Sequence, residues 1–174
     1  TAIFNGDKLV GELTALETRG MLRALGEAKG GIQVIQLSSS NEELVQVSIE
    51  IKSSESSIST SIENGQPTIQ IEIKETGFIG DVSQRVILNE KKMQEIIQLY
   101  ADAVENEVKQ TVSKIQKDFK ANTFDFAGTI RRAENLYWKQ HYEQWEEIYP
   151  TLKVNVKAKT DITANGLEDS ERRK

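Results

Sequence analysis

The sequence predicts an α+β domain: an antiparallel β-sheet meander with a long helix and an aromatic-rich helical region packed on one face. Three observations carry this prediction. Between Ile32 and Ile79 the apolar residues recur at every second position, the period of a half-buried strand. From Met93 to Phe119 they recur every three or four residues, the period of an amphipathic helix. From Leu152 to Ala158 the period returns to two, as in a last strand rejoining the sheet.

Each element follows in order. Ile3-Phe4 and Leu9-Val10 flank Asn5-Gly6-Asp7-Lys8, a hairpin signal because Asn and Gly tolerate positive φ. Thr14-Ala15-Leu16-Glu17 fits a capping box, in which hydroxyl and carboxylate satisfy orphan N–H groups. A short helix follows to about Leu25, with Leu13, Leu16, Met21 and Leu25 as its expected apolar side. Gly26, Gly30 and Gly31 end it. Ile32–Leu37 reads as a strand whose Val34-Ile35 pair breaks strict alternation. Val45, Val47, Ile49 and Ile51, then Ile58, Thr60 and Ile62, then Ile69, Ile71 and Ile73 form the alternating sets of the meander. Asn64-Gly65-Gln66-Pro67 is its clearest turn.

Asn89 caps the long helix, whose stripe is Met93, Ile97, Tyr100, Val104, Val108, Val112, Ile115 and Phe119. About 30 helical residues span roughly 45 Å, and a ten-residue strand spans roughly 33 Å. One such helix can therefore lie diagonally across the whole sheet. A second helical region runs from Asn122 to Tyr149, with Phe126, Ile130, Tyr137, His141, Trp145 and Ile148 on one side. Gly128 and the crowding at Leu136-Tyr137-Trp138 are places where it divides. Pro150 stops it. Asn165-Gly166 closes the final strand, and residues 168–174, all polar, read as a disordered tail. Residues 1–167 thus make a single domain.

The chain has 174 residues, 37% hydrophobic and 28% charged, with formal net charge −5. That composition suits a globular domain able to bury a core. The acidic balance excludes a nucleic-acid footprint of the usual basic kind. There is no cysteine, so disulfides, thiolate metal sites and a Cys nucleophile are excluded. No apolar run approaches the roughly 20 residues of a membrane-spanning helix. The chain begins at Thr1 without a signal peptide and reads as a piece of a longer protein.

No catalytic, cofactor or metal site emerges. His141 is the single histidine and lies on an apolar stripe, where a packed or partly exposed helix residue is expected. Glu143, Glu146 and Glu147 read as a solvated helix face. Gly26–Gly31 follows a helix and precedes a strand, the reverse of a phosphate-binding loop. Two features remain as a candidate interaction surface. One is the polar sheet face carrying Ser57, Ser59, Ser61, Gln70 and Glu72, readable equally as solvated surface or docking face. The other is the aromatic helix with Trp138 and Glu143, where core packing competes with a partner surface.

Two stretches carry a family resemblance. The first is Ala2-Ile3-Phe4-Asn5-Gly6-Asp7-Lys8-Leu9-Val10-Gly11, followed by Leu13 and Glu17-Thr18-Arg19-Gly20. The second runs from Asp125-Phe126-Ala127-Gly128 through Arg131-Arg132 to Trp138, Trp145, Tyr149-Pro150, Val154-Asn155-Val156 and Gly166-Leu167. In order and spacing they resemble the C-terminal domain of the spore germination Ger(x)C lipoproteins, the C subunits of nutrient germinant receptors. The resemblance implies a non-enzymatic subunit without cofactor or metal, acting by protein–protein interaction in a signalling complex. It implies integral-membrane A and B subunits as partners, and no nucleic acid. An upstream lipidated Cys, absent from this chain, would anchor the protein to the outer face of the inner spore membrane. A germinant-binding domain is the alternative reading.

Overall fold

The structure is a computed structural model and describes residues 1–38, 44–83 and 88–163. A small hairpin pairs β1 (Ala2–Asn5) with β2 (Lys8–Glu12), turning through Gly6 at φ 63°. Helix α1 (Ala15–Leu25) starts at the predicted capping box: Thr14 Oγ1 accepts from the Glu17 N–H, and the Glu17 carboxylate accepts from the Thr14 N–H. It ends at Gly26 in the left-handed region, where the Glu27 N–H reaches back to the Leu22 carbonyl.

The main sheet has four strands in the order β3-β4-β5-β6: β3 (Ile32–Ser38), β4 (Leu44–Glu63), β5 (Gln66–Val82) and β6 (Lys153–Ile162). The first three are antiparallel, and β6 runs parallel to β5. The sheet is therefore mixed, because the helices of the β5–β6 connection carry the chain back to the start of β5, where Lys153 sits beside Thr68. The two alternating sets at Val45–Ile51 and Ile58–Ile62 belong to one continuous strand. A bulge between Ile51 and Ser53 switches the inward parity from odd to even. Asn64 (φ 52°) and Gly65 (φ 80°) make the tight turn into β5.

Helix α2 (Glu90–Ser113), capped by Asn89, crosses the inner face diagonally and packs on both edge strands, β3 and β6, and on α1. Ile96, Tyr100, Val104, Val108 and Val112 are its buried line. Ile96 takes the innermost place expected of Ile97, which is only half-buried. The helix closes in a π-helical turn, Lys114–Asp118. The wider turn swings Gln116 into the interior, where its amide donates to the carbonyls of Tyr149 (2.8 Å) and Leu152 (2.9 Å).

The second helical region is broken at Glu134 into α3 (Phe126–Ala133) and α4 (Asn135–His141), followed by α5 (Trp145–Ile148) between two 3-10 turns. Phe126 and Ile130 are fully buried, and α3 is the piece that packs on β4. Trp138 and Trp145 are half-buried and meet edge to face at 5.3 Å. Leu16 on α1 and Ile62 at the end of β4, both expected on apolar sides, are exposed. The break at Val34-Ile35 resolves with Val34 outward on β3 and Ile35 and Leu37 inside with Gln33. Asn165-Gly166 and the tail 168–174 lie outside the described residues.

Candidate interaction surface

The residues richest in chemistry lie inside the fold. Arg23 on α1 is completely buried. Its guanidinium forks onto Glu75 of β5 (Nη2–Oε1 2.6 Å, Nε–Oε2 2.9 Å) and also reaches Glu107 of α2 at 2.9 Å. One turn earlier, Arg19 pairs with the same Glu107. Gln33 Oε1 accepts from both arginines at 3.1 Å, and the Tyr100 hydroxyl donates to Glu75 at 2.7 Å. Two cations and two anions thus balance, each donor finding an acceptor, which is the condition for tolerating buried charge. Burial, with the Glu75 carboxylate beside it, pushes the Tyr100 phenol far above its ordinary range. The Glu107 carboxylate outweighs burial and raises Arg19 above its usual value.

This lock accounts for Glu17-Thr18-Arg19-Gly20 residue by residue. Glu17 completes the capping box and pairs with Lys114 of the π-helical turn at 2.7 Å. Thr18 donates to the Thr1 hydroxyl at 2.9 Å. Arg19 joins the buried pair. Gly20 lets α1 and α2 close together, since a Cβ there would collide with Thr111 Oγ1. The second signature is structural in the same way. Asp125, left-handed at φ 50°, accepts from the Gly128 N–H at 3.1 Å, and a Cβ on Gly128 would strike that carboxylate. Tyr149 is buried between Phe126 and Trp145 with its hydroxyl on the Ala121 carbonyl. A side chain at Gly11 would meet the Phe119 ring.

Arg23, Glu75 and Gln33 were not singled out by the sequence reading, although the strand period contains the signal for two of them. Glu75 continues the inward series Ile69-Ile71-Ile73, and Gln33 shares the parity of Ile35 and Leu37. A carboxylate and an amide at core positions demand an internal partner.

His141 stacks on Tyr137 at 4.1 Å with its Nδ1 2.9 Å from the Tyr137 carbonyl, as a packed helix residue. Glu143, Glu146 and Glu147 are exposed. Among the described residues, no group of three or more His, Cys, Asp or Glu side chains is placed to hold a metal ion.

On the outer side of the sheet, the predicted surface residues come together in register. Ser57 lies beside Glu72, which lies beside Lys157. Ser59 lies beside Gln70, which lies beside Asn155. Ser61 extends the row along β4 beside Thr68. All are exposed except the half-buried Gln70 and Asn155 and the buried Thr68. Trp138 and Glu143 belong elsewhere. Trp138 is on α4, which packs on α3 and on the 3-10 turn that holds Glu143. Glu143 is exposed and accepts from the Tyr142 hydroxyl at 3.0 Å.

The sequence matches the family described as spore germination B3/GerAC like, C-terminal, over residues 1–166. The chain belongs to this family. Among relatives of Bacillus subtilis (strain 168), the chain is 26% identical to spore germination protein B3 over 145 residues, covering 82% of the chain and 37% of that protein. It is 29% identical to spore germination protein KC over 126 residues, covering 71% of the chain and 31% of that protein. A crystal structure of the GerBC protein superposes with a TM-score of 0.74 at 25% identity, covering 90% of this chain and 48% of that one. The chain therefore spans well under half the length of these curated relatives. The fold of this GerAC-like C-terminal domain is that of GerBC, a mixed sheet under helices. Among the described residues, no helix is long and apolar enough to cross a membrane.

Proposed function

We propose that this GerAC-like domain serves a nutrient germinant receptor as a non-enzymatic contact module, with residues 1–167 acting as one unit. Its partners are the integral-membrane A and B subunits, and a lipidated Cys elsewhere in the full protein holds it at the outer face of the inner spore membrane. The observation that carries this reading is where the family-signature residues go. Arg19, Gly20, Gly128 and Tyr149 are engaged within the fold, and the exposed Asp125 is spent on capping α3, so these signature residues have structural roles and do not form a reacting set. What is left facing outward is the polar sheet surface of Ser57, Ser59, Ser61, Gln70 and Glu72, with Trp138 and Glu143 as a second patch. Polar faces of this kind are typical of contacts between domains and subunits.

The test is deletion of this domain from the full-length, lipid-anchored subunit. Nutrient-triggered germination is expected to fail while the truncated protein still reaches the membrane; normal germination would overturn the proposal. Cysteine probes at Ser59, Glu72 and Glu143 in the whole complex then locate the contact. A rise in melting temperature of the domain with amino acids or sugars would instead move the role to small-molecule binding.

A further inference from the structure

The hairpin β1–β2 is a sheet of its own, separate from the main one, and its two faces are treated differently. One face is spent on the domain. Ile3 is buried, as is Leu13 just after β2. Val10, the unpaired residue of a bulge, packs on the core. Gly11 lies so close to the Phe119 ring that a Cβ would collide with it, and the Asn5 amide donates to the Lys120 carbonyl at 3.3 Å. The opposite face is bare. Phe4 and Leu9 stand directly across from one another in register and are 55% and 51% exposed. Strands with consecutive apolar residues are those covered on both faces, and Ile3-Phe4 and Leu9-Val10 are of that kind. Among the described residues the domain supplies only the first cover.

Area and connection together select what completes it. Two half-exposed side chains offer on the order of 200 Å² of apolar surface. That is well short of the roughly 1,000 Å² that a free partner or a second copy needs for a stable interface. A patch so small holds only what is already tethered beside it, since a short connection supplies an effective concentration on the order of millimolar. The family is a C-terminal one, and the matched stretch is well under half of proteins B3 and KC. Most of those polypeptides therefore lies outside the matched domain, and a C-terminal domain has its neighbour on the N-terminal side. A preceding region joins through Thr1, three residues from Phe4. The Thr1 nitrogen donates to the Leu13 carbonyl at 2.9 Å, and the Leu13 N–H donates to the Thr1 carbonyl at 2.8 Å. Pairing is complete at the first residue, so no slack separates the junction from the Phe4–Leu9 pair.

We propose that the outward face of the hairpin, Phe4 and Leu9, is the seat of the preceding region of the full-length subunit. An apolar patch of that region packs on the pair, and the hairpin becomes the layer shared by two bodies of one polypeptide. The seat fixes how this domain is carried relative to the rest of the subunit. It leaves the polar sheet face and the patch of Trp138 and Glu143 free for other proteins. The proposal goes beyond the contact-module reading and does not depend on it, because the seat lies within one chain.

Hydroxyl-radical footprinting reads the pair without any substitution. The 174-residue chain is compared with the full-length subunit, purified without lipid and without other subunits. Oxidation of Phe4 and Leu9 is expected to fall about fivefold or more in the full-length subunit, while Leu136, 79% exposed on α4, oxidises equally in both. The double variant F4T/L9T keeps strand-forming residues at both positions. It should leave the melting temperature of the 174-residue chain nearly unchanged and speed proteolysis just ahead of Thr1 in the full-length subunit about fivefold or more. Several outcomes would overturn the proposal: equal oxidation of the pair in both proteins, unchanged proteolysis in F4T/L9T, or a large fall in melting temperature of the 174-residue chain. So would protection that appears only at high subunit concentration, only with anionic vesicles, or only with the A and B subunits. Domain deletion separates the two proposals. Protection of the pair together with normal germination of the deletion keeps the seat and removes the module; the converse keeps the module and removes the seat.

Discussion

Charged and amide residues lie on both sides of the main sheet and are used oppositely. On the inner face Arg23, Arg19, Glu75, Glu107, Gln33 and Tyr100 close on one another, and α1, α2, β3 and β5 are tied at one point. On the outer face Ser57, Glu72 and Lys157, or Ser59, Gln70 and Asn155, stand in rows across three strands, and neither row is closed by a buried pair. Ion pairs in water contribute little, whereas a charge stranded in the interior costs several kcal/mol. The inner set therefore specifies how the helices dock, and the outer set is available to something else. Charge in a sequence has no fixed meaning until burial assigns it one.

That contrast can be broken first at its strongest point. Arg23→Met strands Glu75 and is expected to cost about 3–5 kcal/mol of unfolding free energy, read by urea denaturation. Adding Glu75→Leu should return most of the loss, since an apolar replacement of a whole buried pair is close to neutral. A single-variant loss below about 1 kcal/mol would mean that the lock does not hold the helices. Next comes the helix contact above the lock. Gly20→Ala drives a methyl into Thr111 Oγ1 and should cost about 1–3 kcal/mol, with a smaller loss in a Thr111→Ala background.

Farther from the lock the effects shrink. Asp125→Ala removes the α3 cap and should cost about 0.5–2 kcal/mol, while Asp125→Asn, able to cap and to hold a left-handed backbone, should cost less; thermal melting distinguishes them. Glu17 supplies a pH signature. Lys114 first, then the Thr14 N–H, lower its carboxyl from 4.5 to about 2. A group with a depressed folded value contributes above its unfolded value and loses that contribution as pH falls through its folded one. The melting temperature should therefore drop between pH 4.5 and pH 2, with a shallower drop in Glu17→Gln. At the other end of the comparison, Ser59→Ala and Glu72→Gln should change stability by under about 0.5 kcal/mol. A larger loss from either would place the outer face among the elements that hold the fold. The two tryptophans stand between these extremes. Trp145 is half-buried against Trp138 and Tyr149, so its truncation tests an aromatic contact at the margin of the core and not a central core residue.

Much of this was legible in the residues. Period two marked β3, β5 and β6, and the three- or four-residue period marked α2, because a side chain's direction follows from backbone geometry alone. Thr14, Asn89, Gly26 and Asn64-Gly65 marked ends and turns through local bonds and allowed φ. The shift of apolar parity between Ile51 and Ile58 was visible too, but a turn and a bulge satisfy it equally well. Only pairing with the 17 residues of β5 selects the bulge within one long strand.

The sequence by itself determined the type of most elements, several of their ends, the inward faces of β5 and β6 and the family, since these are written in spacing along the chain. Tertiary structure decided the rest. It set β6 parallel to β5, because the direction of the last strand depends on where the crossing helices deliver it. It turned Arg23, Glu75 and Glu107 into a single object, although they lie 52 and 84 residues from Arg23 along the chain. No local rule reaches across such separations. Which polar groups meet, and which face water, is fixed only when the whole chain has closed.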